Sequence, residues 1–402
     1  MKHHLSLGRN AHCGSHSPHV TSWHILTGEY PPQPGGVSDY TRLVAKGLAE
    51  AGDGVHVWSG PCAEPSPAES GVEVHRLPDN FGPRSLKKLG EALNQSPAPR
   101  RILVQYVPHA FGWKALNLPF CFWLRSRRKD SVRVFFHEVA FPLDWRQPPL
   151  HNVLGVGTRL MASLVIRAAE RIFVSIPSWE QMVRSLGAGL RPVTWLPIPS
   201  NIPVVHDAES KAAIRARYAR HGDFVIGHFG TYGVHVAGLL KDALPALLRE
   251  DVNRVVILLG RGGDAVRGEL IARDADLAAR LFATGDLSAA DLSKHLQAVD
   301  LMLQLYPDGI STRRTSAMAG LQHGLPLVTT TGHLTESLWS ESQAALLAPV
   351  GDVTAITRAV RRLQEDDKER ARMGAVAAKL YQERFEMRHT IAFLRDDASR
   401  GF

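Results

Sequence analysis

The 402-residue chain is predicted to be an α/β protein made of two doubly wound, Rossmann-like parallel-sheet domains facing each other across a cleft. Three observations predict it. Short apolar runs alternate with amphipathic stretches, the pattern of successive βαβ units. The pattern breaks once, in the Pro-rich, polar stretch from Pro197 to Ser210, and then restarts. Several strand-like runs end in glycine-containing loops, where open α/β sheets bind their ligands. The length also suits two cores, since domains cluster at about 100–200 residues.

In order, residues 1–20 read as a disordered polar arm. It carries His3, His4, His12, His16 and His19. A metal-binding tail is the weaker reading, because no carboxylate or Cys stands beside them. The N-terminal domain is placed at residues 21–203. Its strands are Ser22–Thr27, Val55–Trp58, Val72–Leu77, Arg101–Val107, Val132–His137, Arg171–Ser175 and Val193–Leu196. Asp39–Ala51 is the first helix, with Leu43, Val44, Gly47 and Leu48 on one face. The second domain is placed at 204–384, with strands Phe224–Phe229, Arg254–Leu259, Leu281–Ala283, Leu301–Leu305 and Leu325–Thr329. Helices are expected around Leu239–Leu248, Leu270–Leu281, Ala290–Ala298 and Arg314–His323, and helices alone fill the rest of the domain beyond Thr329. Residues 385–402 form a last helix expected to return to the first domain.

Composition narrows the function classes. Apolar residues make up 44% and charged residues 21%, the ordinary globular range. A formal charge of +8 can attract nucleic acid, an anionic membrane or a phosphate-bearing small molecule. No zinc spacing, RNP-like string or basic helix accompanies it, which argues against nucleic acid. Cys13, Cys62 and Cys121 form no C-x-x-C pair, so neither a disulfide framework nor a zinc site is expected, and a cytoplasmic setting is. The most apolar long stretch, Val153–Val174, is interrupted by Arg159, Arg167, Glu170 and Arg171. It does not reach the roughly 18 apolar residues of a spanning helix. Leu116–Leu124, running into Arg125–Lys129, reads either as contact with the inner face of an anionic membrane or as a core helix with a basic end.

Five loops can carry chemistry. Gly35 and Gly36 lie between a strand and a helix, where backbone can approach an anion closely. His137 and Glu138 sit at the carboxyl end of a buried strand, suited to hydrogen bonding or proton transfer. Gly230 and Thr231, and then Arg261, follow strands of the second domain. Asp308 precedes the run Ser311, Thr312, Arg313, Arg314 and Thr315, in which Ser311 or Thr312 can cap a helix. Two guanidinium groups at a helix N-terminus repel its dipole. They point into solvent, or a diphosphate belongs between them; the diphosphate is the expectation.

On "GGVSDYTRLVAKGLAEAG", "FFHE", "FVSIPSW", "GHFGTY", "ATGDL", "AVDLMLQLYPDG" and "MAGLQHGLPLVTT", in that order and spacing, the chain resembles the GT-B glycosyltransferases, specifically glycosyltransferase family four. The resemblance implies a metal-independent enzyme that takes a sugar from a nucleoside-diphosphate sugar with retention of configuration. It implies a glycan, lipid-linked or small-molecule acceptor. It puts Gly35, Gly36, Gly230, Thr231 and the Ser311–Ser316 helix start at the donor phosphates and His137 near the transferring sugar. The family's two Glu residues, eight positions apart, fall here on Ser311 and Ala319, and its Arg and Lys pair after Gly230 is missing. Arg313 or Arg314, helped by Arg261, is expected to supply that charge, and Asp308 to reach the sugar. The lost Glu pair keeps two alternatives open, a protein that binds a sugar nucleotide without transfer and a donor hydrolase or epimerase.

Overall fold

The computed structural model describes residues 21–396; the histidine-bearing arm lies outside them. The first half runs β1 (Ser22–Thr27), α1 (Gly36–Glu50), β2 (Gly54–Ser59), β3 (Val72–Arg76), α2 (Pro83–Gln95) and β4 (Arg100–Tyr106). It continues with α3 (Leu118–Ser126), β5 (Ser131–Phe136), α4 (Pro149–Ala168), β6 (Arg171–Val174), α5 (Ser178–Val183) and β7 (Val193–Trp195). The second half opens with α6 (Ala208–Tyr218), β8 (Phe224–Phe229), α7 (Val234–Glu250), β9 (Arg254–Leu259), α8 (Gly263–Arg273) and β10 (Leu281–Ala283). Then come α9 (Ala289–Gln297), β11 (Leu301–Gln304), α10 (Thr315–Gln322), β12 (Leu327–Thr331), α11 (Leu338–Ser342) and β13 (Ala345–Pro349). Three helices close the chain: α12 (Val353–Glu365), α13 (Asp367–Arg384) and α14 (Met387–Arg395).

Seven strands pair in the order β3-β2-β1-β4-β5-β6-β7 and six in the order β10-β9-β8-β11-β12-β13. Every ladder is parallel, from Ser22 opposite Gly54 to Leu327 opposite Ala345. Both sheets are therefore doubly wound, with β1 and β8 central, and helices must cover both faces. The inner strands read as largely apolar runs for that reason: all six residues of β9 are buried.

Each sheet has a core on either side. In the first domain α2, α3 and α4 pack one face through Leu89, Phe120 and Val165, while α1 packs the other through Tyr40, Val44 and Leu48. In the second, α9, α10 and α13 cover one face and α7, α8 and α12 the other. Buried aliphatic side chains of this size contribute about 1.5–3 kcal/mol each.

α14 crosses back to the first domain, where Ile391 and Leu394 join the α1 core. A Cβ on Gly47 would lie 2.7 Å from Ile391 Cγ1, so the bare glycine lets the two helices meet. Arg133, fully buried in β5, donates to the Leu394 carbonyl and lies 5.5 Å from the Trp23 ring.

Two expectations need correction. β13 is a strand where only helices were expected; its Ala-Leu-Leu-Ala-Pro run is short and ends in a Pro that only a sheet edge tolerates. α8 starts at Gly263 and stops at Arg273, because the Asp274 side chain accepts from the Asp276 amide and starts a separate 3-10 turn. In Leu116–Leu124, Phe120, Cys121 and Leu124 are buried in the core, whereas Phe122 is 58% exposed. Exposed apolar residues also stand in a row on α4, Leu150, Val153, Val156 and Leu160. No helix of the described residues is long and apolar enough to cross a membrane.

Candidate functional site

Strand order reverses between β1 and β4 and between β8 and β11, so the loops leaving these pairs splay apart and leave a crevice at the strands' carboxyl ends. The two crevices face each other. A cavity of about 950 Å³ between them is lined by Gly36, Asp39 and Tyr40 on one side and by the loops after β8, β9 and β11 on the other. It continues into a second chamber of about 630 Å³ that holds His137 and Glu138; Gly36, Arg313 and Thr315 line both.

Helix termini dominate the second-domain wall. α7 begins after Gly233, α8 after Gly262 and α10 after Arg314, and none of the three has a side-chain cap. By contrast α6, α9, α12 and α13 are capped by Asp207, Ser288, Asp352 and Asp366. Gly233, Gly262, Arg314 and Thr315 all line the larger cavity. Three sets of N–H groups without side-chain caps thus border it, with the positive ends of three helix dipoles. Two left-handed glycines make the wall possible: Gly262 has φ of +95°, and a Cβ on Gly260 (φ +103°) would sit 2.6 Å from the Gly230 carbonyl oxygen.

Both Arg313 and Arg314 face this cavity, but acidic neighbours accompany them. Arg314 donates to Asp308 Oδ2 at 3.3 Å; Arg313 lies 3.6 Å from the same oxygen and 3.7 Å from Glu138. These pairs are longer than the roughly 2.7–2.9 Å of a tight guanidinium–carboxylate fork. The Nε of each arginine is buried without a partner. Burial and the neighbouring Arg314 guanidinium pull the Arg313 pKa below its ordinary value, though an arginine stays charged. The sequence offered solvent or a diphosphate as the destination of this pair; the chain itself supplies a third partner, Asp308. Asp308 holds the arginines and does not line the cavity.

Other expected residues divide sharply. Gly35 and Gly36 lie at the α1 N-terminus and line the cavity, but Glu29 Oε1 already accepts from the Ser38 amide there at 3.0 Å. A carboxylate of the chain therefore occupies part of the anion position expected for the donor phosphates. Gly230 and Thr231 line the cavity. Arg261 also lines it, with a side chain 66% exposed and Asp286 3.8 Å away.

Ser311 and Thr312 do not reach the cavity and cap no helix; the residue before α10 is Arg314. Both are fully buried. Thr312 is a domain connector: its amide donates to Glu336 at 2.9 Å, its hydroxyl accepts from Trp195 Nε1 at 3.1 Å, and its carbonyl accepts from the Ile198 amide at 3.0 Å. The helix starts later because this loop is pinned to the other domain.

His137 pairs through Nε2 with Gln105 Oε1 at 2.8 Å and meets Tyr40 edge-on. Desolvation pushes its pKa down to about 3. A neutral imidazole can hydrogen-bond a sugar hydroxyl but holds no proton to give near neutral pH.

Further polar groups that the sequence did not single out as site residues line the cavity. His228 is buried with both ring nitrogens unpartnered and its pKa pushed down to about 3 by burial. Gln304 keeps a buried, unpartnered Nε2. The Tyr306 hydroxyl pairs with Ser316 at 2.8 Å, and Asp39 accepts from Asn201 at 2.8 Å. Gln304 and His228 were visible only as polar interruptions in apolar strands. Orphaned buried polar atoms are rare in a finished fold, and several around one cavity suit a polar ligand.

Residues 35–199 match the family described as Glycosyl transferase 4-like domain, and residues 223–366 that described as Glycosyl transferases group 1. Among curated proteins none matches the sequence. Solved structures share the architecture. Sucrose-phosphate synthase from Thermosynechococcus elongatus superposes with a TM-score of 0.69 at 16% identity, covering 93% of this chain and 97% of that one. Anabaena HepE in complex with UDP and glucose gives 0.67 at 18% identity, covering 94% and 98%. The Escherichia coli trehalose-6-phosphate protein bound with UDP-2-fluoro glucose gives 0.65 at 12% identity, covering 93% and 98%.

Proposed function

As the chain belongs to the GT-B glycosyltransferases, a 4-like domain followed by a group 1 domain, we propose that it moves a sugar from a nucleoside-diphosphate sugar to an acceptor, with retention of configuration and without a metal in the transfer step. The observation that carries this reading is the cavity wall on which three helix N-termini without side-chain caps meet two arginines with unpartnered Nε atoms.

When the bond between the anomeric carbon and the phosphate oxygen breaks, negative charge builds on the departing diphosphate. Fixed amides and guanidinium groups stabilise that charge without reorganising, the work a metal does elsewhere. Gln304, Tyr306 and Ser316 are the groups we assign to the nucleoside, in place of the family's second Glu. His137, Glu138 and Asp308 are assigned to the sugar side, His137 as a neutral hydrogen-bonding group and Asp308 through the arginines it holds. Retention is supported by the cavity carboxylates: Glu29 is tied to Ser38, Asp39 to Asn201 and Glu138 faces Arg313. None stands free either as the nucleophile of a double displacement or as the base an inverting attack needs, and on that ground we assign retention: the acceptor oxygen attacks on the face the phosphate leaves, and the phosphate takes its proton.

Two of the similar structures carry UDP or a UDP-sugar in their descriptions, so uridine donors are the first to try. The test is incubation with UDP-, GDP-, dTDP- and ADP-sugars, with and without glycan and lipid acceptors. Acceptor-dependent release of nucleoside diphosphate, giving product with the donor's anomeric configuration and no need for added Mg²⁺ or Mn²⁺, is expected. Release without acceptor means a hydrolase. Binding without release supports the second reading, a sugar-nucleotide binder, which Ser311 and Ala319 favour because neither supplies the carboxylate the family has there.

A further inference from the structure

At the edge of the first sheet lies a second cluster, apart from the cleft. β3 is the edge strand and β2 its neighbour, with His56 opposite Glu73 and Trp58 opposite His75. Residues directly opposite, and residues two apart on one strand, share a face, so His56, Glu73 and His75 converge. His56 Nδ1 lies 3.2 Å from His75 Nε2 and 3.2 Å from Glu73 Oε2, and His75 Nε2 lies 3.5 Å from Glu73 Oε1. The geometry points to a binding site for a divalent transition-metal ion of the zinc class, held by His56, Glu73 and His75 with a fourth position left to water.

Size is the first argument. Tetrahedral zinc with bonds of about 2.0–2.2 Å sets its ligand atoms roughly 3.3–3.6 Å apart. The two ring nitrogens, 3.2 Å apart, already fall close to that range, and one ligand atom from each of the three residues lies within 4.8 Å of the others; Glu73 meets the two rings through different oxygens and turns to present one of them when an ion enters. Ligand chemistry is the second, because two imidazoles and one carboxylate with an open position suit this class of ion over calcium or magnesium.

The surrounding groups are the third argument. The His56 ring stacks on His24 at 4.9 Å, 11° from parallel, and the His75 ring stacks on Trp58 at 4.0 Å, 14° from parallel. His24 is itself fixed, its Nδ1 accepting from Trp58 Nε1 at 3.2 Å and its Nε2 3.2 Å from the Ser22 hydroxyl. These stacks hold both ring planes in place before an ion arrives. Glu73 is 64% exposed at its side chain, and an exposed ion pair gains little that would hold it between two rings.

The site is not in the transfer cavity: His56 stands three residues, roughly 10 Å, short of the end of β2. It does have a route to it. Arg76, next to His75, donates to the carbonyls of Tyr30 and Pro31 at 3.0 and 2.8 Å and to Gln33 Oε1 at 3.1 Å. An ion on His75 therefore stiffens the strand that braces the β1–α1 loop.

The test is titration of the chelator-stripped full chain with zinc, in competition with a chromophoric chelator, and with cobalt read by visible absorption. The wild type is expected to bind one equivalent with a tetrahedral cobalt band. Glu73→Gln should weaken zinc binding at least tenfold and His75→Ala should abolish the band, each with an unchanged far-ultraviolet circular dichroism spectrum. A chain with His3, His4, His12, His16 and His19 changed to Ala should bind like the wild type. Zinc binding that survives His75→Ala and Glu73→Gln but disappears in that arm variant, or no tetrahedral band in the wild type, overturns the proposal.

Discussion

Three buried imidazoles give this protein a pH signature. His24, His137 and His228 each have a pKa pushed down to about 3, chiefly by desolvation. The unfolded chain takes up these protons near pH 6.5 and the fold refuses them, so the unfolded state binds more protons between about pH 6.5 and 3. The imidazole contribution to stability is whole above that window and declines as pH falls through it. Asp39 and Glu336, whose pKa values are raised by burial, act with the opposite sign at lower pH. The informative quantity is therefore a difference: the melting temperature of His137→Asn should fall less between pH 7 and 5 than that of the wild type, and an equal fall contradicts the assignment. At this scale the sequence was legible where chemistry was anomalous. Arg313 and Arg314 stood out because two cations at a helix start need an explanation. Gln304 and His228 did not, because only the assembled sheet brings strand-end residues so far apart in the chain to one cavity. Ser311 was misread for the same reason: local capping logic could not see that the neighbouring Thr312 is pinned to Ile198 and Trp195 across the domain boundary.

Inner strands were the most legible elements. β8 and β9 match the expected Phe224–Phe229 and Arg254–Leu259, because a strand covered on both faces is apolar along most of its length. The edge strand β13 has no such signal. Loop geometry was less visible still, yet the cavity depends on it. Gly260→Ala places a Cβ at φ +103°, 2.6 Å from the Gly230 carbonyl oxygen. We expect it to cost about 1–3 kcal/mol and to weaken nucleotide binding, read by thermal unfolding and by titration; a neutral substitution contradicts the close approach. The α4 face makes a different prediction. Leu150, Val153, Val156 and Leu160 are 51–67% exposed, and Arg128 and Lys129 are exposed at the end of α3, the helix packed against α4. Apolar surface with basic neighbours suits an anionic bilayer, and we extend the acceptor proposal to one presented there. Flotation with phosphatidylserine vesicles should be strong at low salt, weaker at high salt, and lost in Val153→Asp/Val156→Asp; no flotation at low salt removes the membrane from the account.

At the scale of the molecule, two doubly wound sheets are joined by more than a linker. Thr312 and the α14 strap cross between the halves, and Arg395 pairs with Asp53 at 2.9 Å. Ending the chain after Phe385 uncovers the α1 face that Ile391 and Leu394 bury, and should lower the unfolding temperature; an unchanged temperature would mean that the strap is dispensable. The two-domain plan was readable from the restart after Pro197–Ser210, whereas the pairing of Arg313 with Glu138 was not, since Glu138 belongs to the other half. The central claim, that this cleft holds a nucleoside diphosphate on bare helix termini and two arginines, is tested most directly by calorimetric titration of UDP and UDP-glucose. Each guanidinium–phosphate contact is worth about 1.5–3 kcal/mol, roughly 10–100-fold in affinity. The wild type should bind, Arg313→Ala and Arg314→Ala should each bind at least tenfold more weakly, and the double variant should show no measurable heat. Equal binding by all four proteins, or no binding of any nucleoside diphosphate by the wild type, contradicts it.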